Sequence, residues 1–112
     1  MPVKLYYDED GFLIWNPTFR TAEKIESSDF NKRLKLLRVS SSNFIRKKCV
    51  RDYIFNRDQN RCKNCGTDSM LHIDHIKSVY YAATYPEFIP FLNKKENLQL
   101  LCISCNSKKA PL

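Results

Sequence analysis

Two cysteine pairs and one short histidine-bearing stretch hold most of the chemistry that this chain could do. "CKNCG" places Cys62 and Cys65 just before Gly66, and "CISC" places Cys102 and Cys105 near the far end. A two-residue gap lets both sulfurs of a tight turn point at one ion, and Gly66 supplies the positive φ such turns need. Four thiolates make a soft, closed donor set without a position for substrate, so the expected chemistry is structural Zn2+. A redox dithiol and an iron centre are the competing readings of these four cysteines. Between the pairs lies "LHIDHI", residues 71 to 76, with both histidines, His72 and His75, around Asp74. Asp74 offers a hard carboxylate oxygen suited to Mg2+ or Mn2+. His75, of a residue type that titrates near neutrality, can take a proton from water. The plain alternative is a zinc-binding domain carrying two polar surface histidines.

The elements that must position these groups follow from periodicity and punctuation. The pairs are separated by 36 residues, Gly66 to Leu101, against about 15 to 20 in a zinc ribbon. "MLHIDHI" alternates as a strand, "ENLQLLC" reads as a second, and "SCNSKKA" as a short helix stopped by Pro111. A strict strand puts Asp74 and His75 on opposite faces, so the first strand is expected to end or bend there. The 19-residue connection from Lys77 to Lys95 is broken by Pro86 and Pro90, with part of it helical. Upstream, residues 1 to 16 read as two short strands around "DEDG", a hairpin turning at Gly11, and Asn16-Pro17 breaks the pattern. "SSDFNKRLKLLR" reads as a helix capped by Asp29 or Ser28. "SSSN", Ser40 to Asn43, punctuates it. A second helix is expected over Phe44 to Arg57, where Ile45, Cys49 and Tyr53 recur every four residues, with Cys49 a small buried hydrophobe.

At 112 residues the chain is expected to form one small unit whose limited core benefits from a metal staple. Its five cysteines are an odd number, and "MPVKLYYDED" shows no apolar leader. No apolar run approaches a membrane span. A reducing cytoplasm is therefore expected, where paired CxxC motifs favour metal over disulfide. Nineteen basic against twelve acidic residues give +7. From Asp29 to Lys63 there are eleven Lys or Arg and three Asp, a local excess of +8. Such an excess suits phosphate backbones, and Arg46, Lys47, Lys48 and Arg51 are the expected contacts. The bland reading is a solvated helix face. Tyr6, Tyr7 and Trp15 are read as core rather than as base-stacking platforms.

Taken together, "CKNCG", "LHIDHI", "ENLQLLC" and "CISCNSKK" resemble the zinc-containing branch of the HNH endonucleases, the ββα-metal or His-Me finger nucleases. The resemblance covers about Val50 to Ala110. It implies an α+β fold: a small ββα-metal core stapled by the four-cysteine zinc site, with an N-terminal hairpin and helices. Residues 1–43 would be an accessory segment packed on a nuclease core at 44–112. His75 matches the first H of the motif, the general base, and Asn97 the middle N, which holds the loop and orients that base. Asn106 stands where many members have the final H, and with Asp74 would bind the catalytic Mg2+ or Mn2+. Lys108 and Lys109 would position the nucleic-acid backbone, and His72 would be at most an accessory. The implied reaction is hydrolysis of DNA, double-stranded above all, leaving 5′-phosphate and 3′-hydroxyl ends. No membrane partner is expected, and a homodimer or a larger phage or restriction complex stays open as the assembly. The competing classes are a noncatalytic zinc-stabilised DNA- or RNA-binding module and a rubredoxin-like electron carrier.

Overall fold

The computed structural model describes residues 5–17 and 19–109. The N-terminal hairpin is reduced to a turn with a single antiparallel bridge, Tyr7 to Leu13. The Asp8 carboxylate accepts from the backbone N–H groups of Asp10 and Phe12, both at 2.9 Å, and Gly11 takes φ +83°, where a side chain is strained. The turn delivers Phe12 and Leu13 into the core. Residues 1–4 of the expected first strand lie outside the described residues.

Three helices follow. α1, Phe19–Ser27, falls outside the expected helices although Ala22, Glu23 and Lys24 favour helix, and it buries Ile25. α2, Phe30–Ile45, begins as expected, with the Asp29 carboxylate accepting from Lys32 N at 2.9 Å. It then runs straight through Ser40 to Asn43, which therefore does not punctuate the chain. The serines there have tertiary partners: Trp15 Nε1 donates to Ser40 Oγ at 3.1 Å, and Ser41 is only 1% exposed. Such contacts override a weak local preference for loop. The break falls instead at Arg46 and Lys47, so the expected Phe44–Arg57 helix is the end of α2 plus a separate α3, Lys48–Arg57. That break resets the helical phase. Val50 and Ile54 face inward, and Cys49, expected to be buried, is exposed.

The sheet has two antiparallel strands among the described residues, β1 (Leu71–His75) and β2 (Leu98–Cys102). Their register pairs Leu71 with Cys102, Ile73 with Leu100, Asp74 with Gln99 and His75 with Leu98. Ile73, Leu98 and Leu100 share an apolar cluster with Val50 and Ile54 of α3, Phe44 of α2, and Phe12 and Leu13. The expected boundary at residues 43 and 44 thus lies inside α2, and side chains from both sides of it meet in one cluster. The Lys77–Lys95 connection holds α4 (Val79–Thr84), capped by Ser78, and a 3-10 segment at Pro86–Phe91. It packs through Ala82, Ala83 and Leu92 against Ile25 and Leu37. A last short helix, α5 (Ile103–Lys108), follows β2 directly, and Pro111, its expected stop, lies outside the described residues. The architecture is mixed α/β. No helix among the described residues is long and apolar enough to cross a membrane.

One buried ion ties α3 to the sheet. The Asp58 carboxylate, 3% exposed, accepts from Arg57 Nε at 2.8 Å and from Leu100 N at 3.0 Å. Burial raises its pKa, but the Arg57 guanidinium and the Leu100 N–H outweigh it and hold the pKa below the ordinary 3.8. A depressed carboxylate stabilises the fold above its unfolded pKa and loses that contribution as pH falls through the folded value. Asp58→Ala is expected to cost about 2–3 kcal/mol near neutral pH, because the Leu100 N–H is left buried and unpaired. Urea unfolding should show this penalty shrinking below about pH 4. A penalty that stays constant into acid would refute the ion-pair account.

Candidate active site and metal cluster

The four paired cysteines converge. Cys62, Cys65, Cys102 and Cys105 bring their sulfurs within 4.8 Å of one another, so the cluster could hold a metal ion such as zinc. A tetrahedron with Zn–S bonds of about 2.3 Å has sulfur–sulfur edges of about 3.8 Å. The Cys65–Cys102 separation is 3.8 Å. Each knuckle carries a backbone N–H on its first sulfur: Cys65 N to Cys62 Sγ at 3.5 Å and Cys105 N to Cys102 Sγ at 3.4 Å. Gly66 takes φ +80°, and its N–H bonds Cys62 O at 2.9 Å to close the first turn. Burial raises the Cys62 thiol pKa, but the N–H groups of Cys65, Cys102 and Asn64 bring it down to about 6. At Cys105 the Asn64 amide lowers the pKa, yet the other three sulfurs and burial push it up to about 11. Sulfurs crowded this closely cannot all ionise by themselves, and a dication relieves the repulsion. The donor set therefore fits zinc. Leu71 and Leu101 pack against it.

The strand register decides where the histidines and Asp74 point. Residues two apart share a face. His75 accordingly lies on the face of Ile73 and the core, and Asp74 and His72 lie on the opposite face. His72 is exposed. His75 Nε2 is 2.7 Å from Asn93 Oδ1, and Asn93 Nδ2 donates to Ser41 Oγ at 3.0 Å. Burial lowers the His75 pKa below the ordinary 6.5, against the Asn93 bond and the Asp74 charge, which raise it, while Lys109 lowers it further. The shift favours the neutral imidazole.

Asp74 Oδ2 accepts from Gln99 Nε2, its cross-strand partner, at 3.1 Å, and from Lys109 Nζ at 2.9 Å. The same ammonium donates to His75 O at 2.5 Å. Lys109, read from sequence as a backbone contact, thus sits where a cation would balance Asp74. Asn106 is exposed on α5, one turn before Lys109, and its carbonyl accepts from Lys109 N at 3.2 Å. From this end of the chain it is Lys109 that reaches Asp74. Beside them an open groove of about 340 Å3 is lined by Lys63, Asn64, Gln99, Cys105, Lys108 and Lys109, among others.

Asn97 is buried where β1 and β2 leave the sheet. Its Oδ1 accepts from Lys77 N at 2.8 Å, and its Nδ2 donates to Lys77 O at 3.0 Å and Leu92 O at 2.8 Å. Its own carbonyl accepts from Ile76 N at 2.8 Å. The residues leaving His75 are fixed by these bonds. Arg46, Lys47, Lys48 and Arg51 are all exposed around the α2–α3 break. Lys48 pairs with Asp52 at 2.6 Å, and the Arg51 guanidinium lies 5.1 Å from the centre of the Phe55 ring. Sequence reasoning missed Asn93 and Ser41. Neither belongs to a recognisable motif, and their sequence separation of 52 is closed only by the fold.

No family model matches the chain, and no solved structure matches it. A protein of Lactococcus phage SK1 described as a probable HNH endonuclease is 39% identical over 62 residues. The matched stretch is 54% of this chain and 64% of that protein, so the chain spans less than two thirds of the relative's length.

Proposed function

We propose that the chain is a metal-dependent endonuclease of the HNH type that hydrolyses phosphodiester bonds in double-stranded DNA, on a ββα core held by structural Zn2+. One observation carries this reading: the Asn97 side chain fastens the backbone just beyond Asp74-His75, where the proposed base must be held still. A module that only binds nucleic acid has no use for an anchored imidazole next to a carboxylate at a strand end. The likeness to a probable HNH endonuclease supports the same class.

In this reading His75 accepts the proton of a water molecule as its oxygen attacks phosphorus, and the bond to the 3′ oxygen breaks. Asn97 keeps the strand end from shifting, since a misplacement of about 1 Å costs roughly 100-fold in rate. Asp74 and Asn106 offer a carboxylate and an amide oxygen, hard donors that suit Mg2+ or Mn2+. When bound, such an ion stabilises charge developing on the phosphate and the leaving oxygen. Lys109 Nζ bonds Asp74 Oδ2 at 2.9 Å, so the ammonium and such an ion would share that carboxylate. Lys63 and Lys108, lining the same groove, attract the phosphate backbone without reading sequence. The decisive assay is incubation of supercoiled plasmid with purified protein, with and without Mg2+ or Mn2+. Nicked or linear product only with the ion is expected, and inert protein with every divalent ion on DNA and RNA would overturn the reading.

The exposed cations at the α2–α3 break are assigned to affinity, not chemistry. Replacing Arg46, Lys47 and Arg51 together by Gln should weaken DNA binding for every sequence. The slope of log affinity against log salt should flatten by about 0.9 for each phosphate no longer neutralised. Lys48→Gln should matter less, because Asp52 already neutralises it. Titration at several salt concentrations checks this, and an unchanged slope would refute it.

A further inference from the structure

We propose that Asn93 is a positioning residue for His75: its buried carboxamide, braced by Ser41 from α2, fixes the ring so that Nε2 carries a proton and Nδ1 keeps the lone pair. This rests on the reading of His75 as the base and names the atom that acts. An amide oxygen can only accept, so a 2.7 Å contact from Asn93 Oδ1 requires a proton on Nε2. At its other end the amide Nδ2 donates to Ser41 Oγ at 3.0 Å. Asn93 and Ser41 are each 1% exposed, among the most completely buried side chains described. Two polar groups sunk this deeply add little net stability when satisfied, and an apolar pair of the same shape would serve packing as well. What they add is a fixed geometry. The proton taken from water then goes to Nδ1, and the imidazolium keeps its Nε2–H bond to Asn93.

The same bracing gives the long connection and the N-terminal helices a task. The Lys77–Lys95 segment is packed onto α2 through Ala82, Ala83 and Leu92, and Arg33 Nε donates to Ala83 O at 3.0 Å. Leu92, whose carbonyl Asn97 holds, immediately precedes Asn93. Helix α2 and the connection together set the distance from Ser41 through Asn93 to the ring.

The test uses the full zinc-loaded chain without nucleic acid, labelled with 15N and read by long-range proton–nitrogen correlation at alkaline pH. The chain has two histidines, so His72→Gln assigns the spectrum. In the wild type, His75 is expected to show a protonated Nε2 whose proton exchanges slowly, and a bare Nδ1. Asn93→Ala should lose that protection and mix the two tautomers, with kcat for plasmid cleavage falling roughly 10- to 100-fold and KM unchanged. Asn93→Asp, still an acceptor, should restore the protected Nε2 proton. If Asn93→Ala does not fold, Ser41→Ala and the wild-type spectrum decide. A wild-type proton on Nδ1, or an undiminished signal in folded Asn93→Ala, would overturn the proposal. A protected Nε2 proton in a protein that cuts nothing would support the Asn93 contact and sink the nuclease reading instead.

Discussion

Cys62→Ser or Cys105→Ser is expected to remove the bound zinc, about one ion per chain in the wild type, and to abolish cooperative unfolding. A two-stranded sheet is marginal in water by itself. Here its end is closed by the knuckles: Lys63 N donates to Leu100 O at 2.9 Å, Cys62 N to Thr67 O at 2.8 Å, and Cys102 ends β2. Among the described residues the buried apolar side chains fall into three clusters, one of which is little more than Cys62, Leu101 and Cys102 with Leu71 and Cys105 against them. A structural Zn2+ contributes about 10–16 kcal/mol in small domains. The whole stability of a domain is about 5–15 kcal/mol. Losing one ligand therefore exceeds what packing can offset. Metal analysis with thermal denaturation followed by circular dichroism checks both halves. Cys49→Ser is the control, since Cys49 is exposed and apart from the cluster, and it should change neither. A reduced, folded wild type without zinc would defeat the prediction, and bound iron with visible colour would favour an electron carrier.

Legibility in the sequence followed how local the signal was. The alternating run "LHIDH" and the short apolar run "LQLLC" both read as strands, and the structure places them at Leu71–His75 and Leu98–Cys102. The four cysteines were readable because metal spacing is itself local, two residues within each pair. The Ser40–Asn43 run misled, since serines look like loop until Trp15 and Asn93 arrive from distant positions to bond them. Cys49 misled for a related reason: after the backbone break at Lys47 it is Val50 and Ile54 that are buried, with Tyr53 half-buried beside them and Cys49 left exposed. Asn93 was invisible. Its meaning depends on an approach to His75 across 18 residues and to Ser41 across 52, which no periodicity encodes. Lys109 likewise looked like one more basic residue until the chain end folded back onto Asp74.

His75→Ala is expected to keep the zinc, the fold and DNA binding, and to lose roughly two to four orders of magnitude in cleavage rate. The fold should survive because the imidazole lies at the end of β1, beside and not within the cluster of Ile73, Leu98 and Leu100. The substitution does leave the Asn93 amide without its partner, so a modest fall in melting temperature belongs to the expected result. Asp74→Ala should behave differently. It removes the proposed hard oxygen ligand and frees Lys109, so activity should fall but recover in part with excess Mn2+, as it should not when the proposed base is missing. His72 is exposed on the outer face, and His72→Ala should do much less. Single-turnover cleavage over a range of Mn2+ concentrations, with binding measured on the same samples, separates the three. Equal losses in His72→Ala and His75→Ala would show that the outer histidine has been given too small a part. Full activity in folded His75→Ala would remove the imidazole from the chemistry altogether.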